Sequence, residues 1–201
     1  MTPLRWRCAM KKDVKKLIKK TAQKIFLTRG LEKISMRNIA SKIGYSPTTI
    51  YLYYKNKDEL LRDILADYNS DFESQMAKLI LEDKEVIVKL KDFLILYVSN
   101  GLEYPDMFKL LTDYFFNQKD RVQESTENTK YLILKGFVNN LIENKIFENG
   151  NPDFIARSLW IHCFGVTAII VHKPEIIDSE MEEFVDFSIT KLINSFKLDS
   201  Q

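Results

Sequence analysis

The residues best suited to chemistry in this 201-residue chain lie between Ser35 and Lys57, in the stretch SMRNIASKIGYSPTTIYLYYKNK. Many of them are small, uncharged or hydroxyl-bearing, and such side chains can approach base edges, thymine methyl groups and phosphate oxygens. The side chains predicted to face outward are Pro47, Thr48, Thr49, Tyr51 and Tyr53. Their chemistry suits the groove of duplex DNA better than any other partner.

Two short helices are predicted to position these residues. The first begins after Ser35, whose hydroxyl can cap free backbone N–H groups, and its residues Ile39, Ala40 and Ile43 form one apolar stripe. Ala40 is small enough to let a second helix cross closely. Gly44 predicts a tight turn, because glycine adopts a left-handed conformation at little cost.

The second predicted helix begins after Ser46, with a proline at the first helical position, where the missing N–H does no harm. Ile50 and Tyr54 are predicted to face inward. A helix that presents its N-terminal end to the major groove needs such an outward surface, so the spacing indicates a helix-turn-helix. The alternative is a helical hairpin inside an ordinary helical bundle.

The distribution of charge favours the DNA-binding interpretation. Residues 1–57 hold 15 Lys and Arg against 2 acidic residues, a net charge of +13, whereas the remaining residues hold 15 against 26, a net charge of −11. A basic segment of this kind is typical of a polyanion binder, and an acidic body would be repelled from phosphate.

Few residues indicate catalysis, a cofactor or a metal. His162 and His172 are the only histidines, and no spacing of Cys, His and carboxylates predicts a zinc site. The glycine patterns of phosphate-binding and dinucleotide-binding loops are also missing. We therefore expect a protein that is not an enzyme, without cofactor or bound metal.

Composition further predicts a cytoplasmic protein. No run of about 18 uncharged apolar residues predicts a membrane span. The leader MTPLRWRCAMKKD lacks the apolar region of a secretory signal, and the two cysteines, Cys8 and Cys163, lie in very different contexts. A reducing cytosol is the simplest inference.

The stretch from Val14 to about Leu65 closely resembles the DNA-binding domain of the TetR family of bacterial transcriptional regulators. The resemblance covers an entering helix, KKLIKKTAQKIFLTRG, followed by SMRNIASKIGYSPTTIYLYYKNKDELL. It implies a helix-turn-helix DNA-binding domain over residues 13–58 and a helical ligand-binding and dimerisation domain over residues 59–201. Residues 1–12 are predicted to be a flexible basic leader, or alternatively an extension ahead of a start at Met10.

The resemblance also assigns expected roles around the helix-turn-helix. Ser35 matches a phosphate-binding cap, and Arg37 a residue that reaches a base or phosphate beside it. Lys57 matches a lysine at the start of the fourth helix, where its charge and the helix N-terminus both point at the DNA backbone.

Within the second helix, Pro47 and Thr48 match positions that bind bases, Thr49 and Tyr53 match positions that bind phosphate, and Tyr51 matches a position that does either. Many family members carry glycine where this chain has Thr48. With the larger Thr48 at this position, the backbone is expected to approach the DNA less closely than in those members. This difference changes the base preference and leaves the function intact.

The rest of the chain predicts further helices, so the expected fold is all-α with about nine helices. A long helix opens at Asn56 and runs to about Leu79, and later segments cover about 84–102, 105–117, 121–147, 152–171 and 179–196. The stretch WIHCFGVTAIIV, Trp160 to Val171, is apolar around nearly its whole circumference and is therefore buried on several sides. In the TetR family the last two helices pair with those of a second subunit, which implies a homodimer; the alternative is the core helix of a monomer.

Aromatic side chains crowd the predicted body, and they form either plain core or the lining of a cavity for a small apolar or aromatic ligand. The candidates for ligand binding are Phe93, Tyr97, Phe108, Phe115, Phe137 and Trp160. YPDMFKLLTDY and SLWIHCFG also resemble a TetR subgroup with a Trp-x-x-x-His-Gly pattern. Trp160 and Gly165 fit that pattern, but Phe164 replaces its histidine and His162 lies two residues earlier.

These features predict a ligand-responsive transcriptional repressor that binds a palindromic double-stranded DNA operator as a homodimer. The alternative is a TetR-like nucleoid-associated or cell-division protein, which uses the same DNA-binding domain and binds a protein partner with its body.

Overall fold

The computed structural model of the protein describes residues 3–117, 126–173, 175 and 180–198, without the side chains of residues 3–12, 115, 117 and 126–128. These residues form an all-α fold, as predicted. The helices are α1 (Pro3–Arg29), α2 (Met36–Ile43), α3 (Pro47–Tyr51), α4 (Lys57–Leu81), α5 (Val86–Glu103), α6 (Pro105–Asn117), α7 (Thr126–Glu143), α8 (Pro152–His172) and α9 (Met181–Asn194). A short 3-10 helix, Leu31–Lys33, joins α1 to α2.

The helix starts follow local chemistry. Both α6 and α8 begin with a proline, as the sequence predicted. Asn151 caps α8, because its side-chain oxygen accepts a hydrogen bond of 2.9 Å from the N–H of Asp153. The ends of α7 and α9 differ from prediction by a few residues, and part of the predicted segment 121–147 lies outside the described residues.

The first helix begins within the predicted basic leader, residues 1–12. The backbone of α1 is helical from Pro3 onward. Proline is compatible with the first helical position, and the following LRWRCAMKK contains neither glycine nor a second proline to end the helix. The helical backbone of residues 3–12 was not predicted, and the flexibility of this leader stays a prediction.

The first compact unit comprises residues up to Tyr68 together with Leu110–Asn117. Helix α1 contacts α2, and α2 contacts α3. One apolar side chain from each of the first four helices is at most 1% exposed: Ile25, Ile39, Ile50 and Leu60. The predicted functional boundary at residue 58 falls inside this unit, because the unit also includes the first turns of α4, as far as Tyr68.

The second compact unit comprises Asn69–Lys109 and Gln118–Gln201. Helix α5 is its centre and packs against α7, α8 and α9. Its contact with α8 is close at Gly101, where a Cβ atom would overlap the Cγ2 atom of Thr167. Thr167 cannot turn away easily, because it is fully buried and its hydroxyl donates to the carbonyl oxygen of Cys163 at 2.7 Å.

Among the described helices, α8 is long and apolar enough to cross a membrane by length and composition, and 39% of that stretch is buried inside the protein. Core helices of soluble proteins meet the same criterion. Arg157 interrupts the apolar stretch.

Candidate nucleic-acid interface

Helix α2 is held at its start by Ser35. The Ser35 Oγ atom accepts a hydrogen bond of 3.1 Å from the N–H of Asn38, which confirms the predicted cap. The Asn38 side chain donates to the carbonyl oxygen of Lys33 at 2.9 Å and so fixes the entry of the chain into α2. Ser35 and Arg37 are both exposed, as a DNA contact requires. Their contacts with phosphate or base stay predictions.

The turn between the two helices has the predicted geometry. Gly44 lies in the left-handed region with φ 73°, and the N–H of Tyr45 donates to the carbonyl oxygen of Ala40 at 3.0 Å. Ser46 then caps α3: its Oγ atom accepts the Thr49 N–H at 3.2 Å and lies 2.9 Å from the Thr49 hydroxyl. The Thr49 hydroxyl therefore already has one partner within the protein.

The burial of α3 and of the residues after it agrees with the prediction at five of seven positions. Ile50 and Tyr54 are buried, whereas Pro47, Thr48 and Tyr51 are exposed. Two further candidates, Thr49 and Tyr53, are half-buried. Leu52 was not among the predicted site residues; it is 79% exposed, which places an apolar side chain in solvent directly after α3.

Lys57 occupies the predicted position at the start of α4, but its side chain has a structural partner. The Nζ atom donates to the carbonyl oxygen of Leu31 at 2.5 Å. Burial lowers the pKa of Lys57 against the opposing influence of Asp58 and Glu32. An ammonium has three donors, so the remaining two are available to a phosphate; that contact stays a prediction.

A cluster of five side chains, which we call the Tyr54 cluster, joins α1, the end of the recognition segment and α4. The Tyr54 hydroxyl donates to Oδ2 of Asp63 at 2.6 Å. Lys15 and Lys19 lie 3.0 and 3.5 Å from the same oxygen, and Lys19 also pairs with Asp67. The ammonium of Lys15 lies 5.4 Å from the centre of the Tyr54 ring.

Titration of the Tyr54 cluster reflects this geometry. Burial raises the pKa of Tyr54, and the hydrogen bond to Asp63 raises it further. Burial also opposes the charge of Asp63, but the hydrogen bonds from Tyr54 and Lys15 and the charge of Lys19 outweigh it and lower the pKa of Asp63. At neutral pH the Tyr54 phenol is therefore protonated, and it donates to Asp63 in its charged carboxylate form.

The Tyr54 cluster had a sequence signal that the analysis overlooked. Lys15 and Lys19 are four residues apart, as are Asp63 and Asp67, so each pair lies on one face of its helix. The lysines were interpreted only as part of a basic surface for DNA. Two complementary pairs on helices that flank a helix-turn-helix predict a contact between those helices.

Five of the six aromatic candidates for ligand binding lie in the second unit, where they form two groups. Phe93 and Tyr97 are buried and meet Phe72 edge-on, with ring centres 6.1 and 6.4 Å apart, and Phe93 also lies 5.9 Å from Phe137. Such pairs are ordinary core contacts. A ligand would have to enter between packed rings to touch all of them.

The second aromatic group surrounds Phe164, which stands where the subgroup pattern has histidine. Its ring centre lies 5.8 Å from that of Phe108 and 5.7 Å from that of Trp160. Phe108 is buried, and Trp160 is half-buried. The Phe115 side chain lies outside the described residues, and ligand binding by all six candidates stays a prediction.

Comparison with known proteins identifies the helix-turn-helix unit. The family model described as bacterial regulatory proteins, tetR family, matches residues 18–64, which include α2, α3 and the start of α4. Residues 18–64 therefore form a DNA-binding domain of the TetR family. The coverage of this match confirms the resemblance noted in the sequence for the first unit, while the Trp-His-Gly subgroup stays a prediction.

Two relatives of this protein span most of the chain at low identity. The HTH-type transcriptional regulator YvaF of Bacillus subtilis is 26% identical over 145 residues, which are 70% of this chain and 72% of YvaF. The nucleoid occlusion factor SlmA of Pasteurella multocida is 18% identical over 166 residues, 78% of this chain and 83% of SlmA. A solved TetR transcription regulator from Haloarcula marismortui has the same fold, with a TM-score of 0.69, 19% identity and coverage of 93% of this chain and 100% of its own.

The Tyr54 cluster generates a stability prediction. Tyr54→Phe removes one hydrogen bond to a partly exposed carboxylate, so the free energy of unfolding should fall by about 1 kcal/mol. Urea unfolding followed by circular dichroism measures this change, and Tyr45→Phe, at an exposed tyrosine, is the matched control.

The same hydrogen bond predicts a pH dependence. Because the pKa of Asp63 lies below 3.8, its contribution to the free energy of unfolding is present above that pH and is lost as the pH falls through the lowered value. The difference between wild type and Tyr54→Phe should therefore shrink below about pH 3.8; a difference that grows there would contradict the assignment.

Proposed function

We propose that this TetR-family protein is a transcriptional repressor that binds a palindromic operator as a homodimer and releases it when a small apolar or aromatic ligand binds the body. The observation that carries the proposal is the exposed face of α3. Ser46 caps this helix, its opposite face is buried, and it lies within a segment of net charge +13. Catalysis has no part in this proposal, and the protein is expected to act in the cytoplasm, where its operator lies.

In the proposed complex, α3 enters the major groove and the side chains around it contact the phosphates of the DNA backbone. Pro47, Thr48 and Tyr51 are exposed at the side of α3 that would face bases. Phosphate contacts come from Ser35, Arg37, Thr49, Tyr53 and Lys57, with Arg37 also able to reach a base. The acidic remainder of the chain, with net charge −11, would disfavour any binding mode in which the body approaches DNA.

Dimerisation through α8 and α9 is supported by apolar side chains that these helices leave uncovered. Phe187 is 58% exposed on α9, and Ile161 and Ile169 are 59% and 51% exposed on α8. Within the described part of the chain, buried polar atoms of His162 and Thr190 on the same helices have no hydrogen-bond partner. A second copy of these helices would cover the apolar groups, and two-fold symmetry matches a palindrome.

Helix α4 is the proposed route from ligand to operator. It belongs to the first compact unit up to Tyr68 and to the second from Asn69 onward. A ligand among the aromatic side chains of the body would move α4 and thereby change the distance between the two recognition helices, which must lie about 34–36 Å apart to enter successive grooves. A change of about 1–3 kcal/mol in operator affinity suffices for regulation.

The second candidate function is a nucleoid-associated or cell-division role with a protein partner. It is favoured by the similarity to a protein named nucleoid occlusion factor SlmA over 78% of this chain. A genome-wide map of bound sites separates the two functions. A few sites beside genes whose expression changes would support the repressor, and many scattered sites without expression changes would support the alternative.

Operator binding gives the first prediction of this proposal. Tyr51→Ala should weaken binding to DNA upstream of the protein's own gene about 10-fold or more, since it removes one exposed base or phosphate contact. Quantitative gel-shift titration at fixed salt measures the affinity. Leu81→Ala, at an 85% exposed position of α4, is the control and should bind as wild type does. Equal affinity of Tyr51→Ala and wild type would contradict the proposed placement of α3.

Dimerisation gives the second prediction. Phe187→Asp places a charge in the proposed interface and should convert the dimer into monomers in sedimentation velocity, with a loss of operator binding. Leu132→Asp changes an equally exposed position, 58%, on α7 and should leave the dimer intact. If both variants stay dimeric, the last two helices do not form the interface.

Ligand response gives the third prediction. The chain contains two tryptophans, so a Trp6→Phe variant reports Trp160 fluorescence alone. A small molecule that weakens operator binding should shift or quench this emission over the same concentration range. A compound that releases the operator while Trp160 emission stays constant would contradict the proposed position of the ligand.

A further inference from the structure

The side chains that α3 presents to solvent lack the groups that usually distinguish bases by hydrogen bonding. The exposed side chains of α3 and of the residue that follows it are Pro47, Thr48, Tyr51 and Leu52. None of the four carries an amide, a guanidinium, an ammonium or a carboxylate. Proteins distinguish guanine with Arg or Lys, adenine with Asn or Gln, and cytosine with Asp or Glu.

The hydroxyl groups near α3 do not replace those missing groups. The Thr49 hydroxyl lies 2.9 Å from Ser46 Oγ, so one of its hydrogen-bonding directions is already used. A hydroxyl such as that of Thr48 can donate or accept, and therefore contacts several bases without discriminating strongly between them. Hydrogen bonding from α3 consequently gives little sequence information.

What α3 and the residue after it do offer is apolar surface, and Leu52 is the most exposed part of that surface. Leu52 is 79% exposed, more than any other large hydrophobic side chain described in the first unit. Its N–H donates to the carbonyl oxygen of Thr49 at 3.2 Å, so its backbone continues the turn of α3. Thr48 adds a methyl group on the same short helix.

The occupant of this surface follows from charge and shape together. The segment around it carries a net charge of +13, with exposed Arg37, Lys42 and Lys55 nearby in sequence, so the partner is a polyanion. Within the major groove of duplex DNA, the apolar group available for contact is the C5-methyl of thymine. An exposed leucine at a basic, groove-sized surface matches that group.

We propose that this protein recognises its operator mainly through thymine methyl groups, with Leu52 and Thr48 as the residues that determine specificity. The inference rests on the proposed function and adds the base composition to it: the positions of each half-site that face α3 are A·T pairs. A guanine contact is left to Arg37, outside α3.

The test uses the full-length protein and an operator obtained by selection from random duplex DNA. Each thymine of that operator is replaced in turn by deoxyuridine, which keeps the base pair and removes only the methyl group. Affinity should fall about fourfold for each contacted methyl, the loss expected from one buried methyl-sized group. Deoxyuridine outside the half-sites is the DNA control.

Two protein variants assign the contacts. In Leu52→Ala the penalty for deoxyuridine should disappear at the position that Leu52 touches and remain elsewhere, and Thr48→Ser should behave likewise at its own position. Leu81→Ala, exposed on α4, should keep every penalty. Because Leu52 is largely in solvent, its truncation removes little internal packing, and an unchanged unfolding temperature verifies this.

The outcomes separate the inference from the proposed function. A specific operator whose affinity is insensitive to deoxyuridine, or whose half-site core is G·C-rich, overturns methyl recognition and leaves the regulator intact. Deoxyuridine penalties that persist in both Leu52→Ala and Thr48→Ser overturn the assignment of those residues. Failure to select any specific sequence overturns the proposed function itself.

Discussion

The shortness of the recognition helix is the constraint on which the rest of the first unit depends. Helix α3 comprises five residues, Pro47–Tyr51, far fewer than the roughly 12–15 that an isolated helix needs in water. Its conformation must therefore come from its surroundings. Ser46 caps the start of α3, and Ile50 on its inner face is fully buried. After the helix ends, Tyr54 donates a hydrogen bond to Asp63 of α4. These contacts hold the exposed, uncharged surface of α3 in a defined position.

The Tyr54 cluster gives this arrangement its link to α4. Two lysines of α1 pair with two aspartates of α4, and Asp63 also accepts the hydrogen bond of the buried Tyr54 phenol. The same helix α4 continues into the second compact unit. A displacement of the first turns of α4 would thus move Asp63 and its hydrogen-bond partner Tyr54, the residue that ends the recognition segment. This continuity makes ligand control physically reasonable without any long-range electrostatic effect.

The second unit solves a different packing problem. Helix α5 is surrounded by α7, α8 and α9, and Gly101 lets it approach α8 as closely as its neighbour Thr167 allows. Aromatic rings fill the remaining space in edge-on pairs. A ligand site within such a body competes with packing that is already close, so the energy of ligand binding would be coupled to rearrangement of the helices. That coupling is what a regulator requires.

Much of this protein follows from its sequence, because the relevant signals are local. Caps at Ser35 and Ser46, the turn at Gly44 and the apolar spacing of Ile39 and Ile50 specify the helix-turn-helix within a few residues of chain. The division of charge is likewise a property of composition. Proline at the start of α6 and α8 gave their boundaries correctly, whereas the charge of the first residues concealed the helix that begins at Pro3.

Only the tertiary structure decided which side chains are used inside the protein and which remain available. Lys57 donates to the carbonyl oxygen of Leu31, and Lys19 pairs with two aspartates, although both lysines counted as DNA-facing charge in the sequence. Leu52, which looks like an ordinary core residue by type, is in solvent. The physical reason is that hydrogen-bond partners and exposure depend on residues distant along the chain, and local spacing does not encode their meeting.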